Sequence, residues 1–299
     1  MKDEESNEIE RIYVENKVAR FSGNSMSLTI APTMACNFRC PYCYEQGKEC
    51  ITMNAETVKK LKEFIGGLKE KYNRIGITWY GGEPLLAMDI IEEVMSELYQ
   101  HYDREHVTVS AVTNGYLLTE DVVEKLKKWD IKGLQITIDG PPEIHNKRRR
   151  LPSGEDTFFV ILNNMKKALE IFPELNIVVR INVDKTNIHG VDGIVSYLKE
   201  YTLLEKIQLY LAPVTDINGS CAHTPCFQTR EFAIEEYEFM KRHQETGISF
   251  INLPKKILEC VEQWQLILGL LMPEEICTNV GMMSEKFQKK QEVFLKNLP

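Results

Sequence analysis

The sequence predicts an α/β fold, a partial (β/α)6 open TIM-like barrel with a short, mostly helical C-terminal extension. Two observations predict it. Short apolar runs alternate with amphipathic stretches about six times along the chain, and the alternation fades after Pro213. A complete eight-stranded barrel usually spreads its repeats over about 250 residues. Because the pattern stops earlier, we expect a barrel that is open on one side, with a lateral entrance for a large substrate.

Each apolar run is expected to form a parallel strand and each amphipathic stretch a helix, because this alternation builds right-handed βαβ units. Asn54 and Thr119 are expected to cap two of the helices, since their side chains accept a hydrogen bond from a backbone N–H that lacks a partner. The predicted strands are residues 27–31, 75–80, 107–113, 134–139, 177–183 and 207–213. The predicted helices are residues 55–71, 89–102, 120–129, 157–172, 191–201 and 231–243.

Three regions are expected along the chain. Residues 1–26 are polar and acidic and form an N-terminal extension, residues 27–213 form the barrel, and residues 214–299 form a loop followed by a helical extension. The segment 214–230 is rich in turn-forming residues and is predicted to be a long loop. From Gly247 onward the pattern indicates helix.

Composition excludes several classes of function. The formal net charge of -8 and the pI near 5.5 argue against a nucleic-acid-binding protein, which usually presents a basic face. We found no apolar stretch long enough to span a bilayer, and the charged residues after Met1 do not form a signal peptide. A cytoplasmic protein without membrane or nucleic-acid partners is therefore expected. Its eight cysteines indicate metal and redox chemistry in a reducing or anaerobic setting.

The most informative motif places Cys36, Cys40 and Cys43 in a C-x3-C-x2-C pattern directly after the first predicted strand. Three thiolates can hold three irons of a 4Fe-4S cubane and leave the fourth iron open to a small molecule. A zinc site would need a fourth ligand, and a disulfide would need an oxidising compartment. With the aromatic Tyr42 before the last cysteine, the motif resembles that of the radical S-adenosylmethionine (SAM) enzymes.

A second motif, Gly81, Gly82, Glu83 and Pro84, ends the second predicted strand. Glycines let a backbone approach a ligand that any Cβ would exclude, although a Gly-Gly pair by itself is usually a turn. The motif resembles the GGEP element of radical SAM enzymes. That resemblance implies that backbone groups here receive the amino group of SAM.

A third motif runs from Thr137 through Asp139 to His145, Asn146 and Arg149. It resembles a block found in peptide-modifying radical SAM enzymes and anaerobic sulfatase-maturating enzymes. The resemblance implies that the hydroxyl of the first residue and the guanidinium of the last contact the ribose and carboxylate of SAM. Arginine suits this purpose, because its planar group pairs with a carboxylate through two hydrogen bonds.

Further polar and apolar residues near the predicted strand ends are also candidates for the site. Asn114 lies in a T-N-G element that recurs in the same family, although Asn-Gly is as often a turn. Arg148 and Arg150 are predicted to be a solvated charge run. The later strands contribute three candidates to the cavity wall, for which ordinary barrel packing is an equal alternative: Arg180, Asn182 and Leu211.

The resemblance implies an oxidoreductase-type enzyme that binds a 4Fe-4S cluster and SAM, cleaves SAM reductively to a 5'-deoxyadenosyl radical and modifies a peptide or protein. An electron donor such as flavodoxin or ferredoxin is implied as a partner, and no catalytic acid or base is assigned. Two alternatives stay open: an anaerobic sulfatase maturase that forms formylglycine, and a non-catalytic or degenerate iron-sulfur protein.

The nearest branch is the peptide maturases with a C-terminal SPASM module, which carries about seven cysteines for auxiliary clusters. This chain has four cysteines after the barrel, so an auxiliary 4Fe-4S cluster is an open question and the module is expected to be truncated or reduced. These four are Cys221, Cys226, Cys260 and Cys277.

Overall fold

A computed structural model describes residues 24–45, 47–215 and 225–250 of the chain. It contains one parallel sheet of seven strands in sequential order, which is the order that successive βα units produce. The strands are β1 (Ser25–Thr33), β2 (Arg74–Gly81), β3 (Val107–Thr113), β4 (Ile131–Thr137), β5 (Asn176–Val183), β6 (Ile207–Pro213) and β7 (Ser249–Phe250). Among the described residues, β1 and β7 form the two edges of the sheet, which is open, as the sequence predicts.

Seven α-helices lie in the described part of the chain. They are α1 (Ala55–Leu68), α2 (Met88–His101), α3 (Glu120–Lys128), α4 (Pro142–Arg148), α5 (Phe158–Ile171), α6 (Ile194–Glu200) and α7 (Thr229–His243). Both predicted caps are present: the Asn54 side chain accepts a hydrogen bond from Thr57 N, and the Thr119 side chain accepts one from Val122 N. The first turn of each helix therefore begins where its sequence places the cap.

The strands bury one face more deeply than the other. In β5 the buried side chains of Ile177, Val179 and Ile181 alternate with the partly exposed Arg180 and Asn182. The buried set belongs to the hydrophobic core, and each fully buried aliphatic side chain contributes about 1.5–3 kcal/mol relative to an exposed one. The other set faces the interior of the open barrel and is free to carry polar chemistry.

The structure corrects two predictions of secondary structure. No helix is predicted between residues 139 and 157, yet Pro142–Arg148 form α4, and proline at the first helical position is compatible with a helix start. Residues 249–250 were predicted as part of a helical region, but they pair with β6 as the short strand β7. Residues 1–23 and 251–299, and with them most of the predicted extensions, lie outside the described residues.

Candidate active site at the carboxyl ends of the strands

The loop after β1 carries the three motif cysteines to the carboxyl end of the sheet. Met34 N donates a hydrogen bond to Ile51 O at 2.7 Å and Met53 N donates one to Pro32 O at 2.9 Å, so both ends of the loop are held together. Arg39 N donates to Arg150 O at 3.0 Å, which joins the middle of the loop to the segment after α4. Phe38 is 4% exposed and anchors the loop in the core.

The thiols of Cys36, Cys40 and Cys43 line a cavity of about 210 Å³, and none of the three is in a disulfide. Phe38 N lies 3.4 Å from Cys36 Sγ and donates a hydrogen bond to it. Burial raises the pKa of all three thiols, and that of Cys40 to about 12. The metal-free protein therefore holds them as thiols, and binding of iron must displace their protons.

The two glycines of the second motif are required by the protein's own packing. A Cβ on Gly82 would lie 2.3 Å from Ala35 O, and one on Gly81 would lie 2.3 Å from Thr33 O, while Gly81 has a positive φ of 110°. The end of β2 thus packs directly under the backbone that leads into the cysteine loop. Both glycines also line the cavity.

Glu83 is fully buried and is not part of the cavity wall. Its carboxylate accepts hydrogen bonds from Leu85 N, from Thr113 Oγ1 at 2.7 Å and from Asn114 N at 2.7 Å. Burial raises the pKa of Glu83 in spite of these three donors, which favour the ionised form. The residue ties the end of β2 to the end of β3.

Asn114 carries this connection on to the cysteine loop. Its Nδ2 donates a hydrogen bond to Asn37 Oδ1 at 2.7 Å, and its Oδ1 accepts one from Tyr116 N. Asn114 is 5% exposed and lines the cavity. Asn37 lies between the first two cysteines and had no role in the sequence analysis.

Tyr42 connects the cysteine loop to the opposite half of the sheet. Its hydroxyl donates a hydrogen bond to Asp139 Oδ2 and accepts bonds from Arg149 Nη1 at 3.0 Å and Asn182 Nδ2 at 3.4 Å. Burial raises the pKa of Tyr42 well above its ordinary value, so the hydroxyl keeps its proton. The Tyr42 hydroxyl therefore contacts side chains from three parts of the fold: the segment after β4, the segment after α4, and β5.

Arg149 is 8% exposed and lines the cavity beside the cysteines. Burial opposes its charge, but Tyr42, Cys40 and Asp139 raise the pKa of Arg149 on balance, so it stays a cation. Its Nε is buried and has no hydrogen-bond partner among the described residues. A buried guanidinium with an unused donor suits an anionic ligand.

The prediction that Arg148 is solvated is wrong. Its side chain is 12% exposed and forms ion pairs with Asp139 at 3.0 Å and Asp184 at 2.6 Å, both of which are fully buried. Its guanidinium also lies 4.7 Å from the ring centroid of Tyr42. Asp184 is 36 residues away in sequence, so no local pattern indicates the pair. Arg150 is exposed, as predicted.

His145 and Asn146 hold α4 in place and do not line the cavity. His145 Nδ1 accepts a hydrogen bond from Asp139 N, and His145 Nε2 donates one to Thr157 Oγ1. The Thr157 hydroxyl in turn donates a hydrogen bond to Arg149 O. Burial lowers the pKa of His145 well below its ordinary value, in agreement with a neutral ring. Asn146 Oδ1 accepts bonds from Thr157 N and Phe158 N and so caps α5.

The strand residues divide between the two faces of the sheet. Thr137, Arg180 and Asn182 line the cavity, whereas Leu211 is 2% exposed and belongs to the hydrophobic core on the other face. Gln135 and Tyr80 also line the cavity but were not assigned to the site. The sequence feature that could have identified them is their position on the less buried face of strands whose other face is apolar.

Residues 30–198 match the model of the radical SAM superfamily, which is more than half of the 299-residue chain. The chain belongs to the radical SAM superfamily. Members of this superfamily are enzymes that use a 4Fe-4S cluster and SAM.

Individual proteins are similar to parts of the chain. An uncharacterized protein of Methanocaldococcus jannaschii is 33% identical over 138 residues, 46% of each chain. A cysteine-type anaerobic sulfatase-maturating enzyme of Clostridium perfringens is 28% identical over 187 residues, 58% of this chain and 49% of its own. The structure of anSMEcpe with bound AdoMet and a peptide superposes with a TM-score of 0.61 and 22% identity over 76% of this chain and 63% of that one. The chain thus spans about half the length of these curated relatives.

The residues present fit a radical SAM cluster. Among residues 24–45, 47–215 and 225–250, no group of three His, Cys, Asp or Glu side chains has the arrangement needed to bind a single metal ion. A cubane does not require that arrangement, because each of its irons takes one thiolate. Three free thiols, a hydrogen bond to one sulfur and an adjacent cation with an unused donor are compatible with a cluster and bound SAM.

Of the helices described above, none has the length and apolar character needed to cross a membrane. Cys221, Cys260 and Cys277, three of the four candidates for an auxiliary cluster, lie outside the described residues.

Proposed function

We propose that the chain cleaves SAM reductively and uses the resulting 5'-deoxyadenosyl radical to modify a peptide or protein substrate. One observation carries the proposal: three free thiols and an incompletely bonded guanidinium, Arg149, line one cavity at the carboxyl ends of parallel strands. That end is where barrel enzymes assemble their active sites. Clusters that only transfer electrons normally have a thiolate on all four irons, whereas three thiolates leave one iron open and the adjacent cation suits a ligand with a carboxylate.

Each residue has a defined role under this proposal. Cys36, Cys40 and Cys43 bind three irons, and Arg149 and Thr137 receive the carboxylate and ribose of SAM. The backbone of Gly81 and Gly82 receives the amino group. When bound, the cluster and SAM supply the radical that takes a hydrogen atom from the substrate.

Other side chains position these groups and keep water out. Tyr42 fixes Arg149 relative to the cysteine loop through the 3.0 Å hydrogen bond. Glu83 and Asn114 fix the opposite side of the loop through Asn37. Both sets of hydrogen bonds are in place before substrate binds, so the site needs less reorganisation of its side chains during the reaction.

The choice of a peptide or protein substrate rests on relatives and on the open sheet. The sulfatase-maturating relative and the peptide-bound anSMEcpe structure have names that refer to protein or peptide substrates. The open edges of the sheet leave lateral access of the kind that a peptide needs. Sulfatase maturation is a narrower candidate, favoured by the 28% identity to the Clostridium perfringens enzyme. The electron donor, such as flavodoxin or ferredoxin, and a cytoplasmic location belong to the proposal as well.

Anaerobic reconstitution followed by dithionite reduction tests the reaction, with 5'-deoxyadenosine measured by chromatography. We expect release of 5'-deoxyadenosine from SAM and its loss, with loss of iron, in Cys36→Ala. The matched control is Cys50→Ala, because Cys50 belongs to the same loop but is exposed and does not line the cavity. A wild-type protein that holds about four irons and never releases 5'-deoxyadenosine contradicts the proposal and favours the non-catalytic alternative.

A further inference from the structure

Arg180 places a second cation in the interior of the barrel. It lies in β5, in register with Thr137 of β4 and Tyr210 of β6, on the face that lines the cavity. Its Nε donates a hydrogen bond to Asn182 Oδ1 at 2.8 Å and its Nη1 donates one to Tyr210 Oη at 3.4 Å. The Tyr210 hydroxyl in turn donates to Gln135 Oε1 at 2.8 Å, so neutral groups hold the guanidinium in place.

No carboxylate of the described residues neutralises Arg180. Its two side-chain partners are an amide and a phenol, and its Nη2 makes no hydrogen bond with any residue in the described ranges. Arg148, by contrast, pairs with two buried aspartates. A cation that is held in position inside a cavity but not paired favours an anionic occupant, because the interior screens charge less than water does.

The carboxylate of SAM is better placed to pair with Arg149 than with Arg180. Arg149 Nη1 donates a hydrogen bond at 3.0 Å to the hydroxyl of Tyr42, which belongs to the cysteine loop. Arg180 instead donates its hydrogen bonds to Asn182 and Tyr210, which lie on β5 and β6. Arg149 is therefore bonded directly to the loop that would hold the cluster, where SAM would chelate the open iron, whereas Arg180 is bonded to the strands.

We infer that Arg180 binds a carboxylate of the substrate and so selects acidic peptides for modification. The inference rests on the proposed function, because it assigns the substrate's charge at the same site. The carboxylate belongs to an Asp or Glu side chain or to the C-terminus, and it pairs with the free edge of the guanidinium. The polar surroundings, Gln135, Asn182 and the two tyrosines, orient the group without competing for its charge.

Peptide binding to the reconstituted, SAM-loaded and unreduced protein tests the inference, with dissociation constants from saturation-transfer NMR. Four probes are compared. They are a capped Ala-Cys-Asp-Ala peptide, its Asn isostere, an N-capped Ala-Cys-Asn-Ala with a free C-terminus, and inorganic phosphate. We expect at least one carboxylate peptide to bind about tenfold more tightly than the capped Asn peptide, as is typical of a charge-assisted pair.

Substitutions test whether Arg180 causes the preference for carboxylate peptides. In Arg180→Gln the tenfold preference should disappear, and in Arg180→Lys it should fall only in part, because lysine keeps the charge but not the planar pair of donors. Arg150→Gln removes the same charge from an exposed position and should keep the preference. Iron content and the dissociation constant of SAM are measured for each variant, so that loss of the cofactor site is recognised.

Four outcomes overturn the inference. Three are no preference for either carboxylate peptide in the wild-type protein, a preference that survives in Arg180→Gln, and a weakened affinity of Arg180→Gln for SAM with the peptide preference intact. Tighter binding of phosphate than of both carboxylate peptides also overturns it, since the substrate would then carry a phosphate. Binding in this assay needs no turnover. Failure to release 5'-deoxyadenosine therefore contradicts the proposed function, whereas loss of the acid preference alone contradicts the role of Arg180.

Discussion

The two halves of the cavity rim hold the cysteine loop by different physical means. On the β1–β3 side, Gly81 and Gly82 pack against backbone carbonyls, and the Glu83 carboxylate accepts hydrogen bonds from Thr113 and Asn114. On the β4–β6 side, the connection is ionic and runs through the pairing of Arg148 with Asp139 and Asp184. The β1–β3 side, the packed half, depends on close packing that leaves no room for an added atom. The β4–β6 side, the charged half, depends on buried charges of opposite sign that neutralise each other.

Both halves end on the loop that carries the cysteines. Asn37 accepts the hydrogen bond from the packed half. In the charged half, Tyr42 accepts a hydrogen bond from Arg149 and donates one to Asp139. The loop is therefore fixed at two positions that flank Cys40. Four experiments separate the contributions of the two halves, from the largest expected effect to the smallest.

The largest effect is expected for Arg148→Met in the charged half. It leaves Asp139 and Asp184 buried without their cation, and breaking a buried pair in this way costs about 3–5 kcal/mol of the free energy of unfolding. Urea denaturation measures it. The matched control is Arg150→Met, at an exposed neighbouring position, for which a change within about 0.5 kcal/mol is expected. Equal effects of the two substitutions would show that the pairing of Arg148 contributes nothing.

In the packed half, Gly82→Ala should destabilise the protein by about 1–3 kcal/mol or more and reduce iron loading. The added Cβ would approach Ala35 O and Met34 O to 2.3 and 2.5 Å, and backbone cannot move aside as a flexible side chain can. Gly67→Ala in α1 is the control. Its added Cβ meets nothing within 4 Å, so a gain of up to about 1 kcal/mol is expected from helix propensity. A stable, fully loaded Gly82→Ala variant would contradict the packing account.

His145 makes the charged half sensitive to pH. Its pKa is lowered in the folded state by burial, so below the ordinary value of 6.5 the unfolded state binds the additional proton. Its contribution to stability is therefore fully present above that pH. The contribution is lost as pH falls towards the folded pKa, with a slope of up to about 1.4 kcal/mol per pH unit.

His145→Asn should remove this slope between pH 5 and 6.5, because asparagine does not titrate. Urea denaturation of the metal-free protein across that range measures the slope. His189→Asn, at an exposed histidine, should retain the wild-type slope. A wild-type slope in His145→Asn would assign the pH dependence to another group.

The smallest effect is expected for the contact between Asn37 and Asn114. A double-mutant cycle with alanine at both positions should give a coupling energy of about 0.5–1.5 kcal/mol, the usual net value of one hydrogen bond. Urea denaturation of the metal-free forms measures the coupling. A coupling near zero would leave the packed half without a specific connection to the cysteine loop.

Much of the fold followed from local patterns. The bounds of β3 and β6 agree with the prediction, and the caps Asn54 and Thr119 start their helices where expected. These features depend on residues close together in the chain, namely the alternation of apolar side chains and the chemistry of one capping group. The cysteine spacing is local in the same sense.

What the sequence did not predict depends on contacts between distant residues. Arg148 reads as part of a basic run until Asp184, 36 residues later, is placed beside it by the pairing of β4 with β5. The glycines were interpreted through a ligand, whereas the structure shows that the backbone of residues 33–35 already excludes a Cβ. Leu211 and Asn182 lie near the ends of neighbouring strands, and only strand register assigns them to opposite faces.

The central claim is that the loop fixed by both halves holds a cluster with an open iron beside Arg149. Electron paramagnetic resonance of the dithionite-reduced, reconstituted protein, recorded with and without SAM, tests it most directly. We predict a reduced-cluster signal that changes when SAM is added, and no such signal in the Cys36/Cys40/Cys43 triple alanine variant. A signal that SAM leaves unchanged, or iron that survives in full in the triple variant, would contradict the account.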